Sequence, residues 1–117
     1  MNAVQSQETH TAIQQQERRK YPRVQAAVQV ELWLEGAPAA TRTQTTDLSA
    51  GGCYVEMNFT LPVDSNLNMV LWLGDEKLVT KAVVVTHHPY FGNGFRFGDM
   101  SQEDQSKLKR FLNSISH

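Results

Sequence analysis

Two short clusters in this 117-residue sequence carry side chains whose types and spacing could do chemistry. The first is Arg19-Lys20-Tyr21-Pro22-Arg23, an R-x-x-x-R with Arg18 directly before it. The second starts 24 residues after Arg23 and reads Asp47-Leu48-Ser49-Ala50-Gly51-Gly52, a D-x-S-x-x-G. Guanidinium groups are planar forks that match phosphate oxygens, or the O6 and N7 edge of guanine, two bonds at a time. Their faces also stack on bases. A carboxylate such as Asp47 is a poor phosphate partner. It accepts well from the N1–H and N2–H2 donors of guanine, or it holds an arginine in place. Ser49 offers a small donor to a phosphate oxygen, and Gly51 and Gly52 permit close backbone approach and positive φ. Together the set suits a ligand that carries both phosphate and guanine. Either motif alone is weak; the pair, in this order and spacing in a β-rich chain of this size, is much stronger.

The charge balance sharpens this. With 11 Lys+Arg against 12 Asp+Glu the net charge is -1, which argues against a broad basic face for a nucleic-acid polymer. Yet Arg18, Arg19, Lys20 and Arg23 place four of the 11 cations within six positions, and residues 1–17 contain none. Such a run is by default a solvated one; beside the second motif it reads as a local clamp for a small anion. The one cysteine, Cys53, excludes an intrachain disulfide and a Cys-rich zinc site, and fits a reducing, cytoplasmic setting. Apolar runs such as Ala82–Val85 are far short of the roughly 20 residues that span a bilayer, so no membrane insertion is expected. Residues 1–17, with no cation and no apolar segment, do not read as a signal peptide.

These residues need a scaffold, and the pattern supplies one. Residues 1–17 are rich in Gln, Thr and Ser and read as a flexible N-terminal tail, leaving 18–117 as the domain. From Val24 to Leu34 apolar residues alternate with polar ones, the period of a half-buried strand. Gly36-Ala37-Pro38 turns the chain into a Thr-rich strand over 39–46, and Asp47–Gly52 has turn chemistry. Further strands are predicted over 53–59, 67–73, 77–87 and 94–97, with Gly74-Asp75-Glu76 closing a tight hairpin. The period then becomes 3.6. Ser101 is an N-cap with Asp104 three residues on, and Leu108, Phe111, Leu112 and Ile115 form one apolar stripe. Lys107, Lys109 and Arg110 are expected toward the helix C-terminus, where the macrodipole favours cations. The fold class is all-β with a terminal helix: a small antiparallel β-barrel.

At these residues the sequence resembles the PilZ domain family, the cyclic di-GMP receptors of bacteria. The resemblance runs from Arg18 to the terminal helix and includes Arg19, Arg23, Asp47, Ser49, Gly52 and the Gly94-Phe95-Arg96-Phe97 strand. It implies a six-stranded antiparallel barrel plus a C-terminal α-helix, with the arginine segment folding over cyclic di-GMP held against the barrel. Arg19 and Arg23 would grip phosphates and the Hoogsteen edges of guanine, Asp47 would contact guanine or orient an arginine, Ser49 would meet a phosphate or a base donor, and Gly52 would let the loop close around the ligand. In this family a basic residue at the position of Arg18 goes with an intercalated pair of cyclic di-GMP molecules. His87 falls where several members carry an aromatic that stacks on guanine, and it is either such a platform or a solvated rim residue.

The remaining candidates read as structural. Arg96 either projects toward the ligand site or, as is expected, makes a surface ion pair; Trp33 is expected partly exposed, Trp72 in packing and Cys53 buried and inert. Adjacent strand residues point to opposite faces, so His87 and His88 do not share a metal. No catalytic constellation and no cofactor are indicated. The expected function is a binding module that signals through an effector protein. The alternatives are a nucleotide-independent adaptor of pilus or flagellar machinery, and a single-stranded nucleic-acid binder, which the bunched cations disfavour.

Overall fold

Residues Val24–Leu34 form two strands where the alternation predicts one. The computed structural model describes residues 22–115, so Arg18, Arg19 and the tail over 1–17 lie outside the described residues. Its strands are β1 (Val24–Gln25), β2 (Gln29–Leu34), β3 (Thr41–Leu48), β4 (Gly52–Glu56), β5 (Asn66–Leu73), β6 (Glu76–His88) and β7 (Gly92–Phe97), followed by helix α1 (Gln102–Ile115). The break between β1 and β2 is spliced by the buried Thr45 hydroxyl, which donates to the Ala26 carbonyl and accepts from the Val28 N–H at 3.0 Å. A side chain thus replaces a ladder rung and satisfies the backbone groups that the bulge leaves over.

All pairings are antiparallel. The ring runs β3-β2-β5-β6-β7-β4 and closes by β3 on β4; β1 is an extra strand on β3. This is the expected closed six-stranded barrel with a terminal helix. Closure removes the sheet edges that would otherwise template aggregation. Val28, Val30 and Leu32 point inward from the first alternating run and meet Met69, Leu71, Leu78, Val84, Phe95 and Phe97 in the core. The β5–β6 hairpin closes through Gly74-Asp75, with Leu73 opposite Glu76 and φ 65° at Gly74.

Helix α1 begins as the sequence says: Ser101 Oγ accepts from the Asp104 N–H at 3.1 Å. Of its stripe only Leu108 is fully buried; Phe111 and Leu112 are half-buried and Ile115 is exposed. The expectation for its cations is corrected. The helix runs on to Ile115, so Lys107, Lys109 and Arg110 fall short of the last turn, which holds no basic residue. Lys107 instead faces Asp104, and Arg110 reaches Glu76. No helix among the described residues is long and apolar enough to cross a membrane.

Candidate ligand-binding face

Asp47 is a strand residue, the seventh of β3, and not part of a turn as the sequence suggests. The turn is only Ser49-Ala50-Gly51, and it is tied internally. The buried Ser49 Oγ accepts from the N–H groups of Gly51 and Gly52, both at 3.1 Å, and donates to the Gly52 carbonyl at 3.2 Å. The Ser49 N–H donates to the same carbonyl at 2.8 Å. Gly51 then accepts from the Phe97 N–H at 2.9 Å, which fastens the turn to β7. At Gly52 a β-carbon would overlap the Phe95 carbonyl oxygen, so only glycine lets β4 lie this close to β7. The serine and the last glycine of the motif therefore shape the turn.

Beside it, Arg23 Nη1 lies 3.7 Å from Asp47 Oδ2. The other carboxylate oxygen, Oδ1, is buried with no hydrogen-bond partner among the described residues. A buried carboxylate oxygen without a donor is costly. Of the two roles the sequence leaves open for Asp47, holding an arginine and accepting from an N–H donor, Oδ2 is near the first and Oδ1 is open to the second. Cys53 lies behind this carboxylate. Burial, and then the charge of Asp47, push its thiol above the ordinary range, so it is no nucleophile. The structure thus brings Arg23, Asp47, Ser49, Gly51 and Gly52 to one corner of the barrel.

The PilZ domain model matches residues 17–114. The chain belongs to the PilZ domain family. Solved structures agree on the fold: the Bacillus subtilis inhibitor of motility MotI/DgrA (23% identity, TM-score 0.68, covering 85% of this chain and 54% of that one); the PilZ domain of CeSA from a cellulose-synthesizing bacterium (22%, 0.64, 81% and 98%); and the PilZ domain of Escherichia coli YcgR, solved with c-di-GMP (18%, 0.69, 84% and 91%). The chain thus spans about half the length of MotI/DgrA and nearly all of the two isolated PilZ domains. No curated protein matches its sequence.

Strand register extends the PilZ corner into a face. Asp47 pairs with Tyr54, Tyr54 with Gly94, and Gly94 with Thr86. Directly opposed residues share one side of a sheet, and the neighbouring row Glu56–Gly92–His88 lies on the same side. The Tyr54 ring crosses both glycines: a β-carbon at Gly92 would stand 2.9 Å from the Tyr54 hydroxyl. That hydroxyl is 2.8 Å from His88 Nδ1, and the two rings are 5.8 Å apart at 45°. Sequence reasoning missed this wall.

His87 is not brought to the face. A bulge between Val84 and Thr86 shifts the phase of β6 by one residue, so that His88, and not His87, shares the side of Asp47. His87 pairs instead with Asn93, and its Nε2 lies 2.9 Å from Thr60 Oγ1. Arg96 is a second correction. Its cross-strand partners are Gly52 and Val83, neither charged, and it makes no ion pair among the described residues. Trp33 is partly exposed as expected, and Cys53 is buried. The described residues hold no group of three metal-ligating side chains.

Proposed function

We propose that this PilZ domain is a receptor for cyclic di-GMP that acts as a binding module, not as an enzyme, and signals through an effector protein in the cytoplasm. The observation that carries this reading is the unpartnered Asp47 Oδ1 beside Arg23. One carboxylate oxygen engages the cation while the other takes a guanine N1–H or N2–H donor. Arg23 then spans from Asp47 to the guanine edge or a phosphate, and Arg19, four residues earlier, grips the second phosphate as the segment folds over. Support comes from the matching family model and from YcgR, whose PilZ domain was solved with c-di-GMP.

In this reading Ser49, Gly51 and Gly52 act by holding the turn under the ligand, and the ring of Tyr54, beside His88, supplies the flat wall for which His87 is one of two readings from sequence. Arg18 brings the additional cation that an intercalated pair, with four phosphate charges, requires.

Calorimetric titration with cyclic di-GMP tests the proposal. Arg23→Ala and Asp47→Asn each weaken binding about tenfold or more, the scale of a charge-assisted or bidentate guanine contact, and affinity falls with added salt. Undiminished affinity in both variants overturns the reading. Arg18→Leu lowers the stoichiometry from two nucleotides to one; a ratio already one in the wild type removes the intercalated pair.

A further inference from the structure

The described residues contain eight lysines and arginines, and most are spoken for. Arg23, Arg42, Lys107 and Arg110 each face a carboxylate within 4.0 Å, and Lys77 lies over the Trp72 ring at 5.6 Å. The three without such a partner among the described residues are Lys81 on β6, Arg96 on β7 and Lys109 on α1. All three line one groove of about 1190 Å³. It adjoins the candidate ligand-binding face, since the Gly52–Arg96–Val83 row lies beside the Tyr54–Gly94–Thr86 row, and it has Ala50 and Gly51 in one wall and α1 in the other. Its apolar lining includes the half-buried Val83 and the buried Phe97, and Asp99 is its only carboxylate among the described residues.

A protein with more carboxylates than cations neutralises most of its surface cations by proximity. Three cations with no acidic partner among the described residues, from three different elements around one concavity, are therefore a local positive field over an apolar floor. Such a surface is complementary to a segment with several carboxylates and an aliphatic or aromatic anchor. A nucleic-acid duplex, with a charge every 1.7 Å or so of its axis, needs a longer basic track than these three positions give.

We propose that this groove docks an acidic segment of a partner protein, with Lys81, Arg96 and Lys109 taking its carboxylates and the Val83–Phe97 floor taking an apolar side chain. The docking surface goes beyond the nucleotide reading and shares with it the turn at Gly51.

The test uses the full chain and a fluorescein-labelled dodecapeptide containing four glutamates and two leucines, followed by anisotropy. A matched peptide with glutamine for glutamate is the control. The acidic peptide binds with a Kd below about 1 mM, the glutamine peptide several-fold more weakly. Lys81→Gln, Arg96→Gln and Lys109→Gln each weaken the acidic peptide by about two- to fivefold, the scale of a solvent-exposed ion pair, and Arg110→Gln, on the same helix but outside the groove, leaves it unchanged. All four positions are solvent-exposed, and unchanged circular dichroism verifies the fold. Equal binding of the two peptides, or indifference to all three groove substitutions, overturns the proposal. So does binding of a 12-base-pair DNA duplex as tightly as the acidic peptide. Displacement of the peptide by cyclic di-GMP would assign the groove to the nucleotide, again overturning docking while leaving the receptor reading intact.

Discussion

Gly52 and Phe95 approach so closely that a β-carbon on the glycine would sit inside the contact distance of the Phe95 carbonyl oxygen. The obstructing atom is backbone, so no rotamer change relieves it. Gly52→Ala must push β4 away from β7 at the corner that carries Asp47. We expect a loss of about 2 kcal/mol, or roughly 10 °C in Tm, read by thermal melting. Gly74→Ala is the contrast. That glycine has φ 65° but open space where a β-carbon would go, and it loses about 1 kcal/mol from backbone conformation alone.

Ser49→Ala removes one hydroxyl that accepts from two N–H groups and donates to a carbonyl. Those groups lose a partner in a buried setting, at a cost of about 1–3 kcal/mol. Urea unfolding should show a lower midpoint at unchanged slope, and cyclic di-GMP affinity should fall as the turn loosens. A stability equal to wild type would show that the turn holds itself without the hydroxyl.

Tyr54 separates a platform from a simple filler. Tyr54→Phe keeps the ring over Gly92 and Gly94 and loses only the contact with His88. Tyr54→Leu loses the ring. We expect cyclic di-GMP binding to weaken about tenfold in the leucine variant, the scale of one stacked base, and by less than about threefold in the phenylalanine variant. Calorimetry that finds both variants equal to wild type places the base elsewhere.

Cys53 gives a probe of opening. Burial pushes its thiol up, so the thiol stays neutral at mildly alkaline pH, and the thiolate is the reactive form. A disulfide reagent at pH 8 should leave native protein unlabelled and react at once in denaturing urea. Fast labelling of the native protein would contradict the burial.

How much of this was legible in the sequence depends on phase. The alternation of Val28, Val30 and Leu32 and the cap at Ser101 are local signals, and they hold. Of the two motifs, Arg23 meets Asp47 because β1 pairs with the end of β3 and sets Gln25 opposite Asp47, while Arg19 lies outside the described residues. Phase is lost where the chain bulges. The run Val83-Val84-Val85 hides an extra residue in β6 because all three side chains are β-branched and apolar, so the resemblance that points to His87 carries no sign of the register that puts His88 on the face. Tyr54 was missed for a related reason: its place opposite Asp47 follows only from register, which depends on a turn of three residues and not six. An ion pair for Arg96 needed an acid on a neighbouring strand, and the neighbours are Gly52 and Val83.

Helix α1 is anchored by Leu108, its one fully buried side chain, with the half-buried Phe111 and Leu112 packed beside it, a contribution of about 4 kcal/mol in all. A helix held that lightly detaches at far lower free energy than the barrel ladders, so its amide protons should exchange with solvent well before those of β5 and β6. The same helix walls the groove of Lys81 and Arg96. A lightly held element of this domain thus borders the cations that have no acidic partner among the described residues. Binding there would be felt as a change in how long the helix stays docked, and not as a change in the shape of the barrel.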